Sequence, residues 1–340
     1  MEKTPELKGL DLKEGRGRKA VWPSEIPFKG WLDVLLRFWK SFLDDQISLV
    51  AAGVAYYTLL AIFPGIVLFV TIYGLVSDPA KAADDARALA DALPPLAAEF
   101  LYKEMGRVAA AGSGGLSLVG FLSLFLALFG AGRAVKSMFQ ALNVAYGERE
   151  KRNLLIINLL GLAFTLAGLV AMVFVLVLVL GLPAIVSSLE LGLKAEAAIN
   201  YVRWPVLFLG FVFACSILYR YGPSRSAPQF RWVSHGAVVA ALLWLLASFG
   251  ISYWASNITD YSGTYGAFGA IILLQTWLWL TSLMILIGAK LNAETEHQTA
   301  QDSTTGRPKP MGKRGARVAD ELGRTRDEGA DPVHEDLSKA

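Results

Sequence analysis

The chain has 340 residues, 54% of them hydrophobic and 18% charged, with a mean hydropathy of +0.45. A soluble domain of this length seldom averages so apolar, and the charges crowd into the two ends and a few connectors, leaving long uncharged runs. The net charge of +3 gives no electrostatic footprint for a nucleic-acid partner, and a single cysteine, Cys215, excludes an internal disulfide.

Taken in order, residues 1–27 are charged and carry Gly and Pro, which predicts a flexible tail. From Phe28 to Asp44 the apolar positions recur at helical spacing, with Lys29, Asp33, Arg37, Lys40 and Asp44 on the remaining positions. Trp31, Trp39 and the basic residues predict an amphipathic helix lying at the membrane interface over 28–44. Six runs over residues 45–290, the second of them short, read as spans of a hydrocarbon core. They are Leu49–Val76, Leu116–Ala131, Leu154–Leu182, Val202–Tyr219, Gly236–Ser256 and Tyr265–Ala289. Pro64 falls in the middle of the first and removes a backbone donor, which predicts a kinked or broken helix there. Residues 78–113 alternate Ala with acids and bases around Pro94-Pro95, which predicts a helical hairpin outside the bilayer. Residues 291–340 hold almost no large apolar side chain and are expected to be a disordered tail. The fold expected is therefore all-α and polytopic. The first 45 or so residues carry no apolar core followed by small residues, so the first span is expected to act as an uncleaved signal.

Lys and Arg set the orientation. The segment before span 1, the second and fourth connectors and the C-terminal tail hold 25 of them, and the opposite side holds 5. Both termini are thus expected in the cytoplasm of a bacterial cell, with the chain in the inner membrane.

No span interior contains Asp or Glu, which argues against a carboxylate proton relay. There is no HExxH, no paired Cys/His metal spacing, no phosphate-cradling Gly loop and no G-x-S-x-G, so neither an enzyme nor a cofactor or metal site is expected. The informative residues are polar ones inside spans. Tyr56, Tyr57 and Thr58 precede Pro64, and Gln275 falls mid-way along span 6; together they predict a polar cavity between spans 1 and 6. For Tyr56 and Tyr57, interfacial anchoring weighs about equally; for Gln275, helix-packing glue is the commoner explanation. Asn257, Asp260, Tyr261, Ser262 and Tyr265 form an outer turn entering span 6. Arg133, closing span 2, is placed to meet a lipid phosphate or to snorkel to the interface.

The segments AAGVAYYTLLAIFPGIVLF, ALNVAYGERE, LYRYGPSRSAPQFRWVSHGAVVAALLWLLAS and YSGTYGAFGAIILLQTWLWLTSLMILIGAKLNAE, running in order from about Phe38 to Glu296, closely resemble the YihY/BrkB family of bacterial inner-membrane proteins. The resemblance implies six spans and carries no catalytic residues over. A ribonuclease label once attached to the family finds no two or three clustered carboxylates or histidines here. Lys290 stands where the family pattern leads one to expect an acid, so a pairing through that acid is not expected in this chain. The leading expectation is a transporter or lipid-handling protein acting on a lipid or small solute. A non-transporting envelope scaffold that holds partners on its surface helix, hairpin and tails is the rival.

Overall fold

A computed structural model describes residues 15–76, 118–178, 193–257 and 267–326. Their α-helices are α1 (Phe28–Asp44), α2 (Ile47–Val76), α3 (Leu118–Tyr146), α4 (Leu154–Leu176), α5 (Leu193–Tyr221), α6 (Phe230–Asn257), α7 (Ala267–Glu296) and the single turn α8 (Arg317–Asp320). No strand occurs among the described residues, which pair in β fashion only at an isolated bridge between Pro228 and Thr304. The hairpin expected at 78–113 lies outside the described residues.

Among the described residues, four helices contain stretches long and apolar enough to cross a membrane: Leu154–Val175, Tyr201–Tyr221, Phe230–Trp254 and Ile271–Glu296. A fifth is reached if α1 and the first half of α2, bent by 59° at residues 45–46, count as one span. Gln46 takes the left-handed conformation (φ 49°) at that bend. α2 continues as helix through Pro64, so the chain is not unwound there; the Pro64 side chain lies outside the described residues. A prolyl residue costs one rung of the hydrogen-bond ladder, and the flanking turns carry the helix across it. α3 also differs from expectation. Its apolar run ends near Ala131, but the helix persists to Tyr146, so Arg133 sits mid-helix rather than at an end.

α7 is the central helix, touching α1, α2, α3 and α6; α5 packs on α6, and α4 packs on α3. α6 and α7 approach closely where Gly236 faces Gly288, and a Cβ on either would run into the other's carbonyl oxygen. Asn292 closes the crossing: its Oδ1 accepts from the Gly236 amide at 2.9 Å and its Nδ2 donates to the Val233 carbonyl at 3.0 Å.

At one end of the bundle the helix termini meet a polar module built from both ends of the chain. Here the structure departs most from expectation. Residues 15–27 and 291–326, expected to be flexible or disordered, are packed. Gln298, Thr299, Ser303, Thr304 and Arg314 are all buried. The Gln298 side chain donates to the Arg16 carbonyl at 2.7 Å, the Ala300 amide to the Arg18 carbonyl at 2.8 Å, and the Thr299 hydroxyl to the Ala20 carbonyl at 2.6 Å. Arg314 donates to the carbonyls of Ala300 and Ala319, at 2.9 and 2.7 Å. Apolar content misjudged these segments because hydrogen bonds to buried carbonyls, rather than apolar area, hold them.

The module turns on a fully buried ion pair. Arg225, in the α5–α6 connector, donates to both oxygens of Glu296 at the end of α7, at 3.2 and 2.7 Å. Ser303 adds a hydroxyl donor to the same carboxylate at 2.8 Å, and the guanidinium lies 5.1 Å from the centre of the buried Tyr146 ring. Removing one member of such a pair leaves an uncompensated buried charge, at a cost of about 3–5 kcal/mol. Arg225→Ala is therefore expected to lower the thermal unfolding midpoint of the detergent-solubilised protein and to open 297–326 to trypsin. Arg225→Met combined with Glu296→Leu should recover most of the midpoint.

Candidate functional site

The last turn of α3 shows how local sequence sets up the site. Gly147, at φ +63°, ends the helix: its amide donates to the Val144 carbonyl at 3.0 Å and the Glu148 amide to the Asn143 carbonyl at 2.8 Å. This turn directs Glu148 inward, where its Oε1 accepts from the Arg317 amide at 2.6 Å and its Oε2 from Lys151 at 2.9 Å. Asn153 then caps α4, its Oδ1 accepting from the Ile156 amide at 2.8 Å. Arg152 reaches across to the Gly222 carbonyl at 2.8 Å, and Asn143 accepts from the Ser224 amide at 2.7 Å, fastening this corner to the α5–α6 connector.

Beside this corner lies a cavity of about 950 Å3, walled by α1, the end of α3, the end of α7 and residues 317–326. The α1 wall is built against the usual pattern. The buried residues of α1 are Gly30, Asp33 and Val34, and Arg37 and Ser41 also turn toward the protein. Phe28, Leu35, Leu36, Trp39 and Leu43 are exposed, Phe28 by 77% and Trp39 by 63%. At 3.6 residues per turn these five fall within about 100° of arc. α1 thus buries its polar face and exposes its apolar one.

Charge pairing explains why. Asp33 accepts from Arg16 at 2.7 and 2.8 Å and from the Arg326 amide at 3.0 Å. Burial works against this carboxylate, but the hydrogen bonds from Arg16 and the Arg326 amide outweigh it and hold the group below its usual range. Arg37 donates to Glu294 Oε2 at 3.1 Å, to Gln298 Oε1 at 2.8 Å and to the Arg324 carbonyl at 2.9 Å. Ser41 donates to Glu294 Oε1 at 3.1 Å. Lys290, the basic residue at an expected acidic position, donates to Asp45 at 2.7 Å and lies 3.7 Å from Glu294. The position therefore has its own pairing, with the signs arranged to suit a lysine.

The residues singled out from sequence are scattered. Tyr56 and Tyr57 lie on the outer surface of α2, 54% and 41% exposed, with their rings edge to face at 5.6 Å. The Thr58 hydroxyl bonds back to the Val54 carbonyl at 2.8 Å. Gln275 is half-buried in α7, and its Oε1 is buried with no hydrogen-bond partner among the described residues. None of these lines the described cavity. Arg133 is exposed on α3 and lies 5.6 Å from the Phe129 ring centre. Next to it, Lys136 donates to Asn158 of α4 at 2.7 Å. Asp260, Tyr261, Ser262, Tyr265 and the Asn257 side chain lie outside the described residues. No group of three or more His, Cys, Asp or Glu side chains placed to hold a metal occurs among the described residues. Sequence reasoning missed Glu294, Glu296 and Arg225; the acids clustered at the end of an otherwise uncharged span were the available signal.

The family model described as Virulence factor BrkB matches residues 38–312. The chain belongs to the BrkB family. Its BrkB-family match extends well past the end of α7, into the polar segment that packs on Arg225 and Arg18. Among similar proteins, the putative ribonuclease-like protein YfkH of Bacillus subtilis is 29% identical over 255 residues, 72% of this chain and 88% of that one. A UPF0761 membrane protein of Pseudoalteromonas atlantica is 27% identical over 312 residues, 84% of this chain and 95% of the relative. A UPF0761 membrane protein of Xanthomonas campestris is 27% identical over 260 residues, 74% of this chain but only 58% of the relative's length. No solved structure matches. With this kinship and its long apolar helices, the chain is an integral membrane protein.

Glu150 offers a test of the corner that carries the cavity. Hydrogen bonds from Arg152 pull its carboxyl from about 4.5 to about 2, against the effect of burial. A carboxylate with a depressed folded-state pKa adds stability that is whole above its unfolded value and is lost as pH falls through the folded one. The melting midpoint is therefore expected to fall between pH 4.5 and about 2, and Glu150→Gln should flatten that part of the profile.

Proposed function

We propose that this protein handles an amphiphile, a lipid or lipid-like solute, at the cytoplasmic face of the bacterial inner membrane. The observation that carries this reading is the reversed α1. Its exposed Leu36 and Trp39 line the same cavity as Arg37, Lys40 and Lys290, so a single site presents an apolar rim and a charged interior. An apolar stripe left uncovered on a membrane protein suits lipid, and α1 serves as the amphipathic interfacial helix.

Six crossings fit this arrangement. The start of α2, the end of α3, the start of α4, the end of α5, the start of α6 and the end of α7 all meet in the polar module, which makes each of the six long helices leave or return at one face. Residues 15–27 and 291–326 both join that module, which supports an even number of crossings between them. The concentration of Lys and Arg supports a cytoplasmic position for the module. Gln275 Oε1, buried and unpartnered among the described residues mid-way along the central helix, supplies a polar point inside the bundle. Arg133, exposed beside Lys136, supplies a contact for a lipid phosphate on the bundle's outer surface. The rival scaffold reading draws on the surface helix, outer hairpin and tails; the described parts of the tails are committed to packing inside the protein.

Native mass spectrometry of gently purified protein tests this, with wild type beside Leu36→Ser/Trp39→Ser. The expected result is a retained lipid-sized mass in the wild type that drops several-fold in the variant. Bare wild-type protein, together with a co-purifying protein partner, would replace the amphiphile reading with the scaffold.

A further inference from the structure

Most ionic side chains of the cavity wall are paired with each other. Arg37 holds Glu294, Lys290 holds Asp45, Lys151 holds Glu148 and Arg317 holds Glu321. Lys40, Arg149 and, at the edge of the described residues, Arg326 line the same cavity, and their side chains meet no carboxylate among the described residues; Lys40 and Arg149 are the two beside α1 and the end of α3. Lys40 is half-buried on α1, one residue after the exposed Trp39; Arg149 is exposed on the α3–α4 connector, which lines the same cavity. Asp44, one turn beyond Lys40, is exposed and likewise meets no cation among the described residues, so the uncommitted cations outnumber it. Uncommitted cations on separate elements, lining one cavity together with the exposed apolar Leu36 and Trp39, describe a receptor for an anionic head with a hydrophobic tail.

We propose that Lys40 and Arg149 bind the phosphate of an anionic amphiphile whose acyl chains lie along Leu36 and Trp39. This rests on the amphiphile reading above and adds the charge and chemistry of the head group. Both side chains are free of ion pairs among the described residues, so neutralising them leaves the Glu294, Glu296 and Asp33 pairs untouched and the melting midpoint unchanged. The phosphate comes from one of two sources, a membrane lipid or free phosphate in the cytoplasm. The exposed Leu36 and Trp39 in the same cavity favour the lipid.

The test compares native mass spectra of the full chain in detergent, mixed with equal amounts of phosphatidic acid and diacylglycerol, with inorganic phosphate as a third ligand. Wild type is set beside Lys40→Gln/Arg149→Gln. Wild type is expected to retain phosphatidic acid about tenfold over diacylglycerol, and the variant to lose most of that preference at an unchanged melting midpoint; a tenfold change corresponds to about 1.4 kcal/mol. Equal retention of both lipids by wild type, or an undiminished preference in the variant, overturns the head-group assignment and leaves the amphiphile reading standing. Retention of neither lipid overturns the amphiphile reading itself. Binding of inorganic phosphate that displaces phosphatidic acid completely, and is lost in the variant, transfers the two cations to free phosphate and overturns the lipid as source.

Discussion

The contact between Arg225 and Glu296, sealed from water, is the point on which the polar end of this protein depends. Two charges removed from solvent cost more than their attraction returns unless every remaining donor and acceptor is met. Here the geometry meets that demand: two guanidinium hydrogen bonds, a serine hydroxyl on the carboxylate and an aromatic ring beside the guanidinium. The pair joins the α5–α6 connector to the end of α7 and, through Ser303, to the segment beyond it. That segment then receives Arg18 and Arg16 from the other end of the chain. A buried ion pair is a poor source of net stability, but it tolerates few alternative arrangements, and register is what a chain of apolar helices needs fixed at its ends.

With the module in register, the odd construction of α1 makes sense. In a soluble protein an amphipathic helix turns its apolar face inward because that burial is favourable by about 25 cal/mol per Å2. α1 does the reverse. Asp33, Arg37 and Ser41 face Arg16, Glu294 and Gln298, while Phe28, Leu35, Leu36, Trp39 and Leu43 are left uncovered. When the surrounding medium is lipid, burying an apolar stripe against protein gains little, and satisfying charges against one another gains a great deal. The same logic puts a charged cavity directly beside an apolar rim.

The sequence announced the apolar helices clearly, since uncharged runs of this length have few other uses, and the start of α1 was equally visible. Helix ends were less so. α3 outlasts its apolar run because Arg133 and Lys136 interrupt hydropathy without interrupting helix propensity, and Lys136 finds Asn158 on the neighbouring helix. The packed ends were illegible to a rule that equates order with apolar content: Gln298, Thr299 and Arg314 are buried through hydrogen bonds whose partners lie up to 282 positions away in the chain. Lys290 rules out a pairing through an acid at its own position, and the partner it does have, Asp45, lies 245 positions away in the chain. Tyr56 and Tyr57 were recognisable as polar groups in a span, but single-sequence reasoning does not fix the rotation of a helix that is apolar on every side, and both turned outward.

The most direct test of this account is where the apolar face of α1 sits. Nitroxide labels placed singly at Leu35, Trp39 and Leu43 of the reconstituted protein report collisions with oxygen, which concentrates in lipid, and with a nickel chelate, which stays in water. The account predicts high oxygen and low chelate accessibility at all three, with the chelate signal rising when Arg225→Ala loosens the module. Three labels in free contact with the chelate in the intact protein would mean that α1 stands in water, and the link between the reversed helix and a membrane amphiphile would be broken.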